Sequence, residues 1–289
     1  MKFPKLYFVA LSASLFLPGC EKNVREVKLP PFEQKLVINS FISPSDSVSM
    51  FFISSNRKIY GETGVNEETG KITGTISDGT LEVALDTTRY GFKLTRDKMQ
   101  IGHGKSYTLK VESDKGLKAT ASCVVPRKRE FLAKVDTFFV APPVMPEIPF
   151  HRAVKFIFTF RDIAGEKNYY RIGAKCTIYY VSQTTGEHKV YSGNISLEKE
   201  YITDAGNDGK DLADKSIGGI AYSSANDSVF LEVYLYNLEK SYYLYHRSLK
   251  NYNSDENPFS ENSPVYSNIS GGLGIFTSYT VDTLVFRLK

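Results

Sequence analysis

The chain has no tryptophan, only three cysteines and no strong excess of one charge. Its 36 Lys and Arg residues nearly balance 32 Asp and Glu residues, so the formal net charge is +4 over 289 residues. No basic run is dense enough to neutralise a phosphate backbone, and nucleic acid is therefore not a predicted partner. The lack of tryptophan weakens a sugar-stacking interpretation of the 19 Tyr and 19 Phe, most of which are expected to fill hydrophobic cores.

Sequence motifs of several common enzyme classes are also missing. The histidines form no HExxH pair and no short ligand spacing with cysteine, which disfavours a zinc site. No serine lies in a GxSxG elbow. We therefore predict no catalytic residue and no cofactor, and we expect that the protein is not an enzyme.

Long hydrophobic runs are absent except near the N-terminus. Residues Leu6–Leu17 (LYFVALSASLFL) follow Lys2 and Lys5, and this run is shorter than the roughly 20 apolar residues that a bilayer-spanning helix needs. A cationic start, a short apolar segment and small residues at the cleavage site predict a signal peptide over residues 1–19.

The residues at the end of this segment, Leu17-Pro18-Gly19-Cys20, form a lipobox. Leu17 and Gly19 are the predicted recognition residues for the lipoprotein signal peptidase, and Cys20 is the predicted lipidation site. Acyl chains such as palmitate on Cys20 would make membrane lipid a partner, since each buried methylene contributes about 0.8 kcal/mol. Residues 20–34 are the predicted lipidated tether. The alternative is an ordinary secretory signal followed by a chance cysteine.

The other two cysteines, Cys123 and Cys176, lie far apart in the sequence. An oxidising compartment would permit a disulfide between them, but spacing alone does not show that their Cα atoms come within bridging distance. Two buried thiols that act as small hydrophobic side chains are the other interpretation.

The first half of the mature chain has the pattern of short strands. The segments are rich in β-branched and aromatic residues and are bounded by turn residues. They are Leu36–Ile42, Val48–Ile53, Leu81–Leu85, Tyr107–Val111 and Leu117–Val125. No helical pattern interrupts them, so residues 35–126 are predicted to form an antiparallel, Ig-like β-sandwich. Residues 61–74 are predicted to be a long mobile loop.

A second series of strands predicts another sandwich over residues 127–289. Its predicted strands are Phe131–Val140, Val154–Phe160, Tyr169–Val181, Ile217–Tyr222, Val229–Tyr236 and Tyr279–Leu288. Helical periodicity near residues 238–252 predicts one amphipathic helix, with Asn237 as its N-cap. The apolar stripe of this helix is expected to pack on the sandwich, and it consists of Leu238, Tyr242, Tyr245, Leu249 and Tyr252. The predicted fold class is mainly β, with two tandem sandwiches and one helix.

An acidic stretch at residues 204–214 (DAGNDGKDLAD) is the one candidate metal site. Its aspartates are Asp204, Asp208, Asp211 and Asp214, and calcium prefers several oxygen ligands from one flexible loop. The register of an EF-hand fails, because Gly206 occupies its third position and Lys215 its twelfth. A solvated turn without a metal is the other interpretation.

The C-terminal third contains an ordered series of short motifs. They are Tyr242-Tyr243, Asn257-Pro258-Phe259 and the run Tyr266–Phe276, which contains SNISGGLGIF. Together with the lipobox, the strands at 36–42 and 107–111, Val125-Pro126, Tyr169-Tyr170-Arg171 and the turn at 204–209, they resemble the domain of unknown function 4249, a family of Bacteroidota lipoproteins. We expect the glycines of the run to form a tight turn before the last strand rather than a phosphate loop.

The resemblance implies an outer-membrane lipoprotein with two β-domains and no known catalytic residue. Such proteins are often encoded beside TonB-dependent receptors, so the expected function is that of a non-catalytic accessory binding component of an outer-membrane nutrient uptake system. A TonB-dependent receptor is the implied protein partner. The periplasmic or surface side remains open. The alternative function is a fimbrial or adhesin-type structural subunit of the cell surface, assembled through exchanged strands.

Overall fold

The computed structural model describes residues 31–57, 69–141, 152–182, 184–222, 227–252 and 264–289. The protein is mainly β, with 57% of the described residues in strands and a sandwich-like arrangement that is not a closed barrel. Gln34–Lys289 forms one compact unit. The predicted mainly β sandwich fold with a single helix is confirmed, whereas the predicted boundary at residues 126 and 127 remains a prediction.

Seventeen strands and one helix are present in the described residues. In chain order they are β1 (Leu36–Ile42), β2 (Val48–Ser55), β3 (Ile72–Ser77), β4 (Glu82–Ala84), β5 (Asp86–Thr88), β6 (Gly91–Thr95), β7 (Ser106–Ser113), β8 (Lys118–Val124), β9 (Ala133–Val140), β10 (Arg152–Arg161), β11 (Tyr169–Val181), β12 (His188–Ile195), β13 (Tyr201–Thr203), β14 (Asp211–Lys215), β15 (Ile220–Tyr222), β16 (Ser228–Leu238), α1 (Lys240–Tyr252) and β17 (Gly272–Arg287).

One large sheet of nine strands runs through the whole compact unit. Its order is β12-β11-β16-β17-β1-β2-β6-β5, and β13 pairs with β11. Two four-stranded sheets pack against it. The first cover sheet has the order β4-β3-β7-β8, and the second cover sheet consists of β14, β15 and β9 around β10.

Alternating apolar residues build a separate core under each cover sheet, because successive side chains of a strand point to opposite faces. The first core combines residues such as Ile38 of β1 and Leu109 of β7, both fully buried. The second core combines Phe158 of β10 with Leu235 of β16, which are also fully buried. The two halves of the large sheet therefore each have a partner sheet.

Strand β17 belongs to both halves. Its first residues, Gly272–Ser278, pair in parallel with β1, and its later residues, Tyr279–Arg287, pair antiparallel with β16. Phe276 is part of the first core, whereas Leu284 and Phe286 pack against the second. This one strand makes the large sheet continuous.

The start of β17 corrects two sequence-based predictions. The sequence pattern predicts a last strand that begins at Tyr279, but the strand begins at Gly272, so two glycines of the predicted turn lie inside it. The cause is close approach of the backbone. A Cβ at Gly272 would lie 2.7 Å from the Leu36 carbonyl oxygen, and one at Gly274 (φ +98°) would overlap the Ile38 carbonyl oxygen. The all-antiparallel prediction is also wrong here, since β1 and β17 are parallel.

The helix begins later than predicted. Asn237 is not its N-cap, because Asn237 lies in β16 and pairs with Tyr170 and Thr280 in the neighbouring strands. Leu238 ends the same strand, so tertiary pairing extends β16 through residues whose spacing suggests a helix. Helix α1 begins at Lys240, and the Tyr243 backbone N–H donates to the carbonyl oxygen of Glu239.

Helix α1 covers a small aromatic core at the middle of the large sheet. Tyr242 is 6% exposed, and its ring lies 5.1 Å from that of Phe41 in β1. Tyr169 of β11 packs in the same core. The predicted packing of the tyrosine stripe is thus confirmed for Tyr242, but Tyr252 is 47% exposed and does not follow it. Among the described residues no helix has the length and apolar character that crossing a membrane requires.

Part of the predicted loop at residues 61–74 is also a strand. Ile72–Gly74 belong to β3, which pairs with β7. The sequence suggested a loop because this segment has few large apolar residues. In β3, Gly74 packs closely against the Leu85 side chain, and a Cβ at this position would lie 3.1 Å from it. Residues 61–68 lie outside the described part of the chain.

We predict that Gly274→Ala lowers the free energy of unfolding by more than about 3 kcal/mol, because the residue has positive φ and its Cβ would overlap the backbone of β1. Urea unfolding measures the change. The control is Gly218→Ala, where a Cβ would meet no atom within 4 Å and φ is not positive; it should change stability by no more than about 0.5 kcal/mol. Equal effects of the two substitutions would contradict the close-approach explanation.

Candidate functional site

Three carboxylates meet at the end of the second sandwich. One oxygen from each of Asp162, Asp204 and Asp208 lies within 4.8 Å of the others. Asp162 and Asp204 are only 4% and 6% exposed, and Asp208 is exposed. Two of the four aspartates of the sequence-predicted metal loop are therefore brought together. Asp162 follows β10 and was missed, because it is distant in sequence and no local spacing connects it with the loop.

Hydrogen bonds from the protein account for much of this acidic cluster. Asp162 accepts from the Tyr170 hydroxyl at 2.7 Å and from the Gly209 backbone N–H at 2.8 Å. Asp204 accepts from the Asn168 N–H at 2.9 Å. These bonds fix the turn at residues 204–209 against the end of β10. The three carboxylates are the residues of this cluster that could also hold a divalent cation.

The other two aspartates of the predicted loop lie elsewhere, so that part of the prediction is wrong. Both belong to β14 rather than to a loop. Asp211 forms a 2.6 Å ion pair with Arg161. Asp214 accepts from the backbone N–H groups of Lys199 and Lys215, and burial raises the pKa of its carboxyl. The strand conformation carries their side chains away from a shared site.

The cysteines show no reactive environment. Cys123 and Cys176 are both free and buried, one in each core. Burial raises the pKa of the Cys123 thiol and raises that of Cys176 to about 11. Thiols of this kind stay protonated at neutral pH and are poor nucleophiles. The predicted signal and lipidation residues Leu17, Gly19 and Cys20 lie outside the described residues.

A large concave site with mainly apolar walls lies at one edge of the second sandwich, and we call it the edge cavity. Its volume is about 610 Å³. It is lined by Cys176, Ile178 and Tyr180 of β11, Tyr191, Gly193, Asn194 and Ile195 of β12, Ser196, the stretch Ile217–Tyr222 and Asp227. The described lining residues include no lysine, arginine or histidine, and their one carboxylate is that of Asp227.

The sequence analysis did not find the edge cavity. Strand β12 (HKVYSGNI) was not predicted, since Lys189, Tyr191, Gly193 and Ile195 on one face do not form an apolar series. The mixture of polar and apolar residues on this face of β12 is the signal that could have indicated the cavity. A strand whose inner positions include a lysine, a tyrosine and a glycine is not fully covered by a facing sheet.

A half-buried carboxylate also links the two halves of the molecule. Glu239 precedes α1, and its carboxylate accepts from the Val124 backbone N–H at 3.2 Å and from the Thr277 hydroxyl at 2.9 Å. Burial raises the pKa of this carboxyl. Its partners belong to β8 and β17, and Glu239 joins β16 to α1. We therefore interpret Glu239 as a structural link rather than a catalytic acid.

We predict that Glu239→Gln changes stability in a pH-dependent manner. Because the pKa of the carboxyl is higher in the folded than in the unfolded chain, the folded protein binds the proton more tightly. The contribution of Glu239 should therefore grow as the pH falls from above the raised pKa toward the ordinary value of 4.5, so the wild type gains stability relative to Glu239→Gln. Urea unfolding at several pH values measures the difference. The exposed Glu112→Gln is the control and should show little such trend.

We predict that Asp162→Asn lowers the free energy of unfolding by about 2 kcal/mol, because it replaces one of two acceptor oxygens used by Tyr170 and Gly209.

Calcium prefers six to eight oxygens, and this cluster supplies three carboxylates. Thermal unfolding of the wild type is therefore expected to be the same in EDTA and in calcium. A rise of Tm with calcium that Asp162→Asn abolishes would contradict this expectation and show a metal site.

Comparison with known families agrees with the resemblance of the motifs. The model of a family described as a domain of unknown function (DUF4249) matches residues 23–284. A search of curated proteins finds no match. Because the family match covers most of the chain, including both cores and strand β17 almost to its end, the protein belongs to the DUF4249 family.

Proposed function

We propose that the protein is a non-catalytic, lipid-anchored lipoprotein of the outer membrane that serves as an accessory binding component of a TonB-dependent nutrient uptake system. The observation that carries the binding role is the edge cavity. Its volume of about 610 Å³ is in the usual range of ligand sites, and its described lining is mainly apolar. A site of this kind favours binding over chemistry.

The anchor is supported by the lipobox and by the distance to the first strand. Cys20 precedes Leu36, the first residue of β1, by 16 positions. A chain of that length reaches at most about 55 Å when fully extended. The compact unit can therefore bind a soluble ligand while the acyl chains remain in the lipid.

The transporter partner is supported by the family. The resemblance of this chain to Bacteroidota lipoproteins encoded beside TonB-dependent receptors motivates that partner, and Bacteroidota origin is itself part of the proposal. An anchored binding protein raises the local concentration of ligand beside a receptor in the same membrane, since tethering makes the transfer effectively intramolecular.

The test is affinity purification of the tagged protein from detergent-solubilised membranes. We expect the wild type to recover a TonB-dependent receptor. Cys20→Ser should move the protein from the membrane to the soluble fraction and abolish palmitate incorporation, whereas Lys22→Gln, just beyond the lipobox, should do neither. Recovery of no receptor would contradict the transport role, and unchanged membrane fractionation of Cys20→Ser would contradict the anchor.

A structural surface subunit remains the second candidate, because the described residues include unpaired sheet edges, among them β9 and β12. Strand β9 pairs only with β10, and β12 pairs only with β11. On β9, Phe139 is 71% exposed. Edges of this kind can accept an exchanged strand. SDS-resistant ladders and fibres in electron micrographs of shed material would favour this function over the binding role.

A further inference from the structure

The edge cavity results from a difference in width between two packed sheets. The second half of the large sheet contains β12, β11, β16 and β17, whereas the second cover sheet places β14 and β15 end to end along the same side of β10. No described strand of the cover sheet therefore lies over the inner face of β12. Tyr191 shows this directly, since it is 60% exposed although its partner in the ladder, Ile178, is 7% exposed.

The cavity is closed at one end and open along its side. The Ile217 N–H donates to the Ser196 carbonyl at 2.9 Å, and the Glu198 N–H donates to the Lys215 carbonyl at 3.0 Å. These bonds join the two sheets just beyond β12. Further along, three consecutive residues of β12 and three of β15 line the cavity. Because consecutive side chains of a strand point to opposite faces, the cavity must also contact the backbone edges of both strands. Ten of the 15 described lining residues belong to strands, so the site is largely formed before a ligand arrives.

Glycine shapes the inner face of β12. A Cβ at Gly193 would lie 2.8 Å from the Tyr191 hydroxyl oxygen. The absence of a side chain at 193 lets the Tyr191 ring lie along the strand instead of standing away from it. The ring adds a large apolar surface to a wall that otherwise contains aliphatic side chains, and aromatic rings of this kind contribute strongly to ligand contacts.

The charges of the lining select the class of ligand. Among the described lining residues, Asp227 is the one acidic side chain, and no basic side chain is present. The Cys176 thiol has a pKa raised to about 11 by burial and is neutral at physiological pH. An anionic group held among these lining side chains would lose its hydration without gaining a cation from them. Two cations lie beside the lining rather than in it: Lys189, which pairs with Tyr180 in the ladder, and Lys289, whose ammonium lies 5.3 Å from the centre of the Tyr222 ring.

We propose that the edge cavity binds an electrically neutral, mainly apolar small molecule, with its body between β12 and β15 and against the Tyr191 ring. This inference rests on the proposed binding function and names the ligand class of the same site. Phosphates, carboxylates and acidic sugars are disfavoured because the described lining offers no cation.

The test uses two dyes that share one skeleton. N-phenyl-1-naphthylamine is neutral, and 1-anilinonaphthalene-8-sulfonate carries an added sulfonate; both become fluorescent in apolar sites. The protein is residues 21–289, which include the whole compact unit. We expect saturable binding of the neutral dye with one site per chain, and binding of the sulfonate at least about ten-fold weaker, a difference of roughly 1.4 kcal/mol.

Two pairs of variants locate the site. Gly218→Trp fills the cavity at a position where a Cβ meets no atom within 4 Å, and Tyr90→Trp places the same side chain on the exposed surface of the first half. Tyr191→Ala removes the exposed ring, and Tyr179→Ala removes a ring that is 49% exposed on the opposite face of the neighbouring strand. The affinity for the neutral dye should fall about ten-fold in Gly218→Trp and about five-fold in Tyr191→Ala. The two control variants should leave this affinity unchanged.

Because the chain has no tryptophan, the Gly218→Trp and Tyr90→Trp variants each carry a single fluorescent indole as a reporter. Energy transfer to any dye still bound should be greater in Gly218→Trp than in Tyr90→Trp. Equal affinities for the two dyes, or unchanged affinity in both cavity variants, would overturn the inference. If the protein recovers a receptor in the affinity purification but does not bind the neutral dye, only the inferred ligand class is contradicted. If it binds the dye but recovers no receptor, only the transport role is contradicted.

Discussion

The shared pairing of β17 is the constraint on which the rest of the structure depends. A strand of 16 residues pairs first with β1 and then with β16, so the first and second cores cannot be assembled independently of the C-terminal segment. Because β17 is parallel to β1, the chain enters β17 at the end of the sheet where β1 begins. Gly271 and Gly272 allow the chain to pass close to the carbonyl oxygens of Lys118 and Leu36 there. Gly271 lies in a turn with φ +74° just before β17, and at both positions a Cβ would collide with backbone atoms.

The connection between the halves is reinforced where α1 begins. Glu239 accepts from β8 and β17 at once, and Ser278 of β17 donates from its hydroxyl to the Val124 carbonyl at 2.8 Å. Arg171 of β11 pairs with Glu200 and donates to the Tyr242 hydroxyl in the helix. Each of these bonds joins elements distant in sequence. They explain why the helix lies over the middle of the large sheet rather than on the second sandwich alone.

Sequence patterns predicted the strands that are buried and rich in β-branched or aromatic residues. Leu36–Ile42 and Tyr169–Val181 have the predicted bounds, because burial on at least one face selects a continuous apolar pattern. Short strands such as β13 and β14 were missed, since three to five residues with polar positions resemble loops. Asn237 was misassigned because β-sheet pairing on both sides outweighed its capping preference.

The candidate site was the least predictable part for a related reason. Asp162 and the loop aspartates are brought together only by the packing of β10 against the turn at 204–209, and no local spacing records that contact. The edge cavity depends on an absence among the described strands, the missing cover over β12, which a pattern of residues in one strand does not encode.

Several residues of the C-terminal motif series have structural explanations in this molecule. Gly274 allows contact with β1, Asn268 exchanges two hydrogen bonds with the backbone of Phe276, and Tyr242 fills the aromatic core. These positions hold the framework of this molecule together. The edge cavity contains little of that motif series, and its walls belong to β12, β15 and the end of β11. Substitutions of cavity side chains such as Tyr191 or Ala221 should therefore reshape the cavity while β17 continues to hold both cores, which separates the residues that the fold requires from those that line the cavity.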